Sequence, residues 1–337
     1  MSGRLRTAIL GCGSFAHRHA QILTRLEEDV ELVAFCNRTI EKAAAFSQQY
    51  TNGQAPVFAD HHQMFEQVPL DAIVICLPPY AHSDEVEIAA NLGVHVFIEK
   101  PIALTSEKAW AMVHAAEDAG IVTQVGFMFR FGEAIEHLKA MIDSGQAGPV
   151  GLMSARYFCN ALHAPWWRQR ERSGGQVVEQ VIHMVDLMRF LMGNAVTAYS
   201  RQENMFHRDV EDYTVEDVSA TVFGFPLGGI GVIYASNGAI PGRWINDYRL
   251  VTRDITAEFA DANHATFHHT VVPDRAPEVI ASDRDIYLAE MQDFVNAIRT
   301  GQPARIPMRE GAKSLDLALA ATRSAQMGGE VQVSDNR

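Results

Sequence analysis

A chain of 337 residues exceeds what one ordinary hydrophobic core serves, so two domains are expected. With 47% apolar and 20% charged residues it has the balance of a globular protein, and no run of eighteen apolar residues is present to span a membrane. A net charge of −13 argues against nucleic acid or an anionic membrane as partner, although an anionic cofactor can still bind through a local site.

The N-terminal MSGRLRTAILGCG enters a strand directly, without the apolar stretch and cleavage site of a signal peptide. The cysteines Cys12, Cys36, Cys76 and Cys159 are scattered and lack metal spacing, so free buried thiols and a cytoplasmic location are expected. Short apolar runs at 7–10, 31–36, 72–77, 94–98 and 121–125 then alternate with helical patterns near 15–27, 40–48, 82–92 and 106–118. This rhythm predicts an α/β, doubly wound parallel sheet with helices on both faces over residues 1–125.

The pattern changes after GFMFRF (126–131). A helical EAIEHLKAMIDSG, a strand-like GLMSARYF and a polar loop, HAPWWRQRERSGG, lead into one long helix over 176–192, with Gly193 as its stop. Consecutive strand patterns from about 195 to 272 predict a mostly antiparallel sheet, and the last sixty residues return to helix. Residues 126–337 therefore read as a C-terminal α+β domain.

Gly11, Gly13 and Ala16 follow the first strand in a G-x-G-x-x-A arrangement that opens a helix. Gly11 permits the tight turn, Gly13 lets backbone approach a pyrophosphate, and Ala16 lets the helix pack closely on the strand. With Ser14 and Phe15, these residues form a dinucleotide-binding loop. The second strand ends in Cys36-Asn37-Arg38-Thr39, with no carboxylate for the ribose hydroxyls of NAD. Arg38 suits a 2′-phosphate, with Asn37 and Thr39 as additional donors, so NADP is preferred over NAD.

Two further strand ends fall at the same carboxyl edge, where open α/β sheets bind ligands. One delivers Leu77, Pro78, Tyr80 and His82 beside the cofactor; the other delivers Glu99 and Lys100. Pro101 restricts Lys100 to an extended conformation and leaves a cis bond open. Lys100 thus stands where nicotinamide and a substrate oxygen should meet. On the long helix, offsets of four and three place Glu179, His183 and Asp186 on one face, which suits either acid/base chemistry or a structural polar cluster. His61-His62 and the set His264, His268, His269 show no convergent carboxylate or cysteine, so no metal is expected.

In the order and spacing of these motifs, together with SGGQVVEQVIHMVD (173–186) and the C-terminal run from FVNAIRTG to SAQMGGEVQV, the chain resembles the glucose–fructose oxidoreductase/inositol dehydrogenase/MocA (Gfo/Idh/MocA) family over nearly its whole length. The resemblance implies a Rossmann domain followed by an α/β domain whose large open sheet forms the interface of a homo-oligomer, dimer or tetramer. It implies an NAD(P)-dependent enzyme acting on a hydroxyl or carbonyl of a sugar, inositol or related polyol, with Lys100 as the active-site lysine and His183 as the acid/base histidine. The family usually has aspartate where this chain has Glu179, which is therefore a catalytic and substrate-side candidate with an altered reach: the extra methylene is comparable to the ~1 Å displacement that can cost about 100-fold in rate. Either the helix compensates or Glu179 has taken another partner. Asp186 reads as mainly structural, and Arg130, Trp167 and Arg168 as substrate-side contacts; Trp166 and Trp167 also suit stacking on a pyranose face.

The expected chemistry is hydride transfer at nicotinamide, with His183 exchanging the hydroxyl proton and Lys100 hydrogen-bonding to the same oxygen. The rivals are a lyase or glycosidase that uses a tightly bound nicotinamide for transient oxidation, and a non-catalytic NADP(H) sensor.

Overall fold

Apolar runs flanked by turn residues become the strands of a parallel sheet in the computed structural model, which describes residues 3–272 and 274–333. The chain divides into two units: one comprises the residues up to Gly126 together with Tyr287–Ala312, the other Phe127–Ile286 and the chain from Lys313. Among the described residues no helix is long and apolar enough to cross a membrane.

In the first unit the chain runs β1 (Leu5–Leu10), α1 (Ala16–Arg25), β2 (Val30–Cys36), α2 (Ile40–Thr51), β3 (Val57–Phe58), α3 (His61–Gln67), β4 (Ala72–Ile75), α4 (Glu85–Asn91), β5 (His95–Ile98), α5 (Ser106–Asp118) and β6 (Thr123–Val125). All pairings are parallel, in the order β3-β2-β1-β4-β5-β6. The order reverses between β1 and β4, which makes their carboxyl ends the ligand-binding crevice of a doubly wound sheet. Helix α1 buries Ala16, His19, Ala20 and Leu23, a stripe at helical spacing. That stripe joins Ile9, Phe35, Phe46 and Phe97 in a core that also takes in Phe294. Each such large apolar side chain contributes about 1.5–3 kcal/mol on burial. The two-residue β3 and the weakly patterned α3 are additions to the expected elements, since neither carries a readable period.

The second unit runs α6 (Glu133–Asp143), β7 (Val150–Phe158), α7 (Arg170–Ser173), α8 (Gln176–Glu179), α9 (Ile182–Met192), β8 (Thr197–Glu203), β9 (Val218–Gly224), β10 (Ile230–Ser236), β11 (Tyr248–Thr252), β12 (Ile255–Phe259), β13 (His264–His269) and β14 (Glu278–Ala281). Helices α10 (Ile286–Thr300) and α11 (Met308–Met327) and strand β15 (Val331–Gln332) follow. The nine strands form an open sheet, β14-β13-β12-β11-β7-β10-β9-β8-β15, antiparallel except for the pair β7 and β10. Gly231 leaves room for Met188 of α9 to lie against β10. The opposite face of the sheet exposes Leu152, Tyr199, Val222, Ile230, Tyr234 and Val251.

Most of α10 and the first turn of α11 belong to the first unit, a return that the expected boundary at 125/126 did not contain. Backbone and side-chain bonds fix it to β6. Val125 N donates to Ile306 O at 2.9 Å, and Met308 N donates to Thr123 Oγ1 at 2.9 Å. The fully buried Gln124 gives its Nε2 to Glu290 O at 2.9 Å. Replacing Gln124 by leucine removes this donor and the Oε1 that accepts from Ile306 N, so Gln124→Leu should cost about 1–3 kcal/mol in urea unfolding. An unchanged midpoint would show that this tie contributes nothing.

Candidate functional site

The dinucleotide loop follows from a close approach of two strand ends. Gly11 has φ +92° and gives its amide to Cys36 O, 2.8 Å away. A Cβ there would sit 2.5 Å from Cys76 O and 3.1 Å from the Leu77 side chain, so only glycine fits. At Gly13 the opposite holds: apart from its chain neighbours, no described heavy atom lies within 4 Å of where a Cβ would stand, and Ser14 and Phe15 are exposed. Ala16 is fully buried at the start of α1, which makes no side-chain capping bond among the described residues. An open backbone cradle in front of an uncapped ten-residue helix is chemistry that suits a pyrophosphate. Asn37 laces this loop to the end of β2: its Oδ1 accepts from Cys12 N at 3.0 Å and its Nδ2 donates to Thr39 O at 2.9 Å. Arg38 and Thr39 are exposed beside it.

At the end of β4, Pro78 precedes a short 3-10 turn that carries Tyr80. The His82 side chain is buried, with Nδ1 2.5 Å from Glu85 Oε1, while Ser83 N donates to Glu85 Oε2 at 2.7 Å. Burial alone would raise the Glu85 carboxyl, but the hydrogen bond and charge of His82 and the nearby amides outweigh it and hold it at about 2. His82 is thereby anchored to the base of α4.

Glu99, at the end of β5, is buried and bound on both oxygens. Oε1 lies 2.7 Å from Nε2 of the buried His19, and Oε2 accepts from Lys100 N at 3.2 Å. A Cβ on Gly126 would lie 2.8 Å from both oxygens, so the strand beside Glu99 must be bare there. The Lys100–Pro101 peptide is cis, and Lys100 is half-buried. His19 is the residue that sequence reasoning missed here; its place on the buried stripe of α1 was the available signal.

In the second unit the expected single helix over 176–192 is not formed. Val181 N bonds to Gln176 O, five residues back, and α8 stops before α9 begins. An added residue in a turn rotates the following face by roughly 100°. His183 and Asp186 keep their spacing of three within α9, whereas Glu179 belongs to the separate helix α8, so the offsets of one continuous helix no longer relate it to them. Glu179 Oε2 accepts from Trp167 Nε1 at 2.7 Å. His183, in the first turn of α9, is buried against Phe127 and Phe129, with ring centroids 6.0 and 5.4 Å away. Asp186 takes both ends of the Arg130 fork, Nε at 2.7 Å and Nη2 at 2.6 Å, and accepts from Ser314 Oγ at 2.9 Å. Arg130 is itself buried and lies over Phe190. Arg168 donates to the carbonyls of Leu162 and His163.

A second polar group, absent from the expected set, surrounds His163. Its Nε2 lies 3.1 Å from both Asn237 Oδ1 and Gln180 Nε2, its ring centroid is 4.2 Å from that of Trp167, and Asn237 Nδ2 donates to Tyr213 Oη at 2.9 Å. Burial pushes the His163 imidazole below its ordinary value. Its one sequence signal was a place in the tryptophan-bearing loop. The expectation that no carboxylate converges on His61-His62 also fails: Asp60 and Asp84 lie beside them. His264 and His268 pair with Asp261 and Glu258.

Three family models match the chain: an oxidoreductase family NAD-binding Rossmann fold over residues 5–127, a Gfo/Idh/MocA C-terminal domain over 135–259, and an oxidoreductase family C-terminal α/β domain over 236–333. The scyllo-inositol 2-dehydrogenase (NAD(+)) of Bacillus subtilis is 26% identical over 351 residues, covering 100% of this chain and 98% of that protein. The D-glucoside 3-dehydrogenase of Escherichia coli is 26% identical, covering 98% of each chain. Among solved structures, levoglucosan dehydrogenase with NADH and levoglucosan superposes with TM-score 0.90 at 18% identity over 98% of this chain and 100% of that one. The WlbA dehydrogenase of Bordetella pertussis, with NADH and UDP-GlcNAcA, gives 0.85 at 23% over 98% and 99%. These two likenesses establish the fold.

Two measurements test the buried charges. Asp186→Asn removes the charge opposite the buried Arg130 guanidinium and should cost about 3–5 kcal/mol, with much of the loss recovered in Arg130→Met/Asp186→Leu; equal losses in single and double variants would deny the pairing. Because the Glu85 carboxyl is depressed on folding, its stabilisation is present above its ordinary value of 4.5 and fades as pH falls toward about 2. The stability gap between the parent and Glu85→Gln, on the order of 3 kcal/mol near neutrality, should therefore narrow in urea melts taken from about pH 5.5 down to about pH 3. A gap that stays flat or widens on acidification would contradict this.

Proposed function

Since this chain belongs to the Gfo/Idh/MocA family of NAD-binding oxidoreductases, we propose that it interconverts a hydroxyl and a carbonyl on a sugar, inositol or related polyol, as the names of its dehydrogenase relatives suggest. The observation that carries this reading is Lys100, delivered at the carboxyl end of β5 with its backbone amide bound by the buried Glu99. Bound nicotinamide would supply or accept the hydride. Gly11 to Ala16, Leu77, Pro78 and Tyr80 would hold the dinucleotide, and Arg38 favours NADP(H) because no carboxylate ends β2 and the guanidinium is exposed there.

His183 moves the proton at the reacting oxygen, and the Lys100 ammonium donates a hydrogen bond to that oxygen, stabilising negative charge as it develops in reduction. The phenyl rings around His183 exclude water from one side of the imidazole. Trp167 and Glu179, bonded to one another, are read as part of the substrate side, and Arg130 as the support of α9 through Asp186. A homo-oligomer built on the exposed apolar sheet face and a cytoplasmic location belong to the same proposal.

Titration with NADPH and NADH, followed by tryptophan quenching, should show tighter NADPH binding, and Arg38→Ala should weaken NADPH by about 10-fold to 100-fold while sparing NADH. NADH preference in the parent would sink the Arg38 assignment alone. In a screen of polyols and sugars, Lys100→Ala and His183→Ala should each lower kcat by about 100-fold to 10,000-fold with nucleotide affinity retained. Turnover that survives both changes would remove these residues from the chemistry.

A further inference from the structure

Outside the residues assigned so far, the first unit gathers two imidazoles and two carboxylates at its surface. Asp60 precedes α3 as its N-cap, His61 and His62 open that helix, and Asp84 is the N-cap of α4. The two rings lie 4.4 Å apart, inclined by 37°. His61 Nε2 is 2.9 Å and His62 Nε2 3.3 Å from the same atom, Asp84 Oδ1. His61 Nδ1 faces Asp60 Oδ1 at 4.0 Å. One ligand atom from each of Asp60, His61 and His62 lies within 4.8 Å of the others.

An N-cap aspartate ordinarily gives its carboxylate to amides of its own helix. Asp60 does so, accepting from His62 N at 2.9 Å. Asp84 makes no such bond among the described residues; its carboxylate is turned to the histidines instead.

We propose that His61 and His62, with the carboxylates of Asp60 and Asp84 beside them, form a binding site for a borderline divalent cation of the zinc, cobalt and nickel group. Two imidazole nitrogens converging on one carboxylate oxygen is the donor set such ions select, whereas magnesium and calcium favour oxygen alone. A neutral histidine binds metal through Nε2 when its proton resides on Nδ1. For His61 that nitrogen stands 4.0 Å from Asp60 Oδ1. The site links the segment after β3 to the segment before α4, so an ion there would pin two connections at the carboxyl edge of the parallel sheet. The four cysteines are free thiols and none belongs to this group. The two other histidine pairings, His264 with Asp261 and His268 with Glu258, each bring one imidazole to one carboxylate and serve as internal controls. None of this depends on the catalytic reading.

The test is calorimetric titration of zinc into the full chain after chelator treatment and gel filtration, with the visible spectrum of the cobalt-loaded protein as a second readout. One saturable site in the micromolar range is expected, with a rise in melting temperature on loading. Asp84→Asn should weaken it by about 10-fold to 100-fold. His61→Ala and His62→Ala should abolish it and the cobalt ligand-field bands, while His268→Ala should leave both unchanged. All of these side chains are at least partly exposed, so folding of the variants is checked by circular dichroism and nucleotide binding. No saturable binding by the parent chain, or binding that survives His61→Ala and His62→Ala, would overturn the proposal.

Discussion

A carboxylate withdrawn from water must be met by a cation or by several N–H donors, and this constraint shapes both units. Glu99 is met by His19 and by the Lys100 amide. Asp186 is met by the Arg130 fork, and Glu85 by His82 and a backbone amide. Glu216 is met by Arg170 and Val177 N, while the fully buried Asp217 gathers three consecutive amides and the His207 ring. Each match fixes a segment that periodicity alone would leave free: the end of β5, the approach to α9, the base of α4, the start of α8 and the turn after β8.

That division also explains what could be read beforehand. Strands buried on both faces announce themselves as apolar runs, and the glycine loop announces itself because Gly11 has no alternative beside Cys76 O. The doubly wound unit was therefore legible almost element by element. The break between α8 and α9 was not, because it rests on a single five-residue backbone bond at Val181 and on the capture of Glu179 by an indole twelve residues earlier. An apolar pattern with a 3.6-residue period continues through such a break unaltered. His163 was equally hidden, since Asn237 and Tyr213 reach it only through the register of distant strands. The same holds for Asp84 beside His61: two helix starts, twenty-three positions apart, meet only once the parallel sheet has formed.

The candidate chemistry follows a similar division between positioning and reaction. Lys100 and His183 each sit at the edge of a stiff local frame, one built on a buried carboxylate and the other walled by aromatic rings. Glu179, in α8, accepts a hydrogen bond from the tryptophan-bearing loop.

The return of the chain to β6 has a consequence for synthesis. The outer edge of β6 is closed by residues around Ile306, which are made some 180 positions after the strand itself. At roughly 5–20 residues per second, the nascent nucleotide-binding sheet spends about 10–40 s with that edge open while Phe127–Ile286 of the second unit is being translated. An exposed strand edge is a template for wrong pairing, and three-residue β6 offers such pairing very little length. Brevity at this strand is protection during the wait on the ribosome, and the segment that joins α10 to α11 is what ends it.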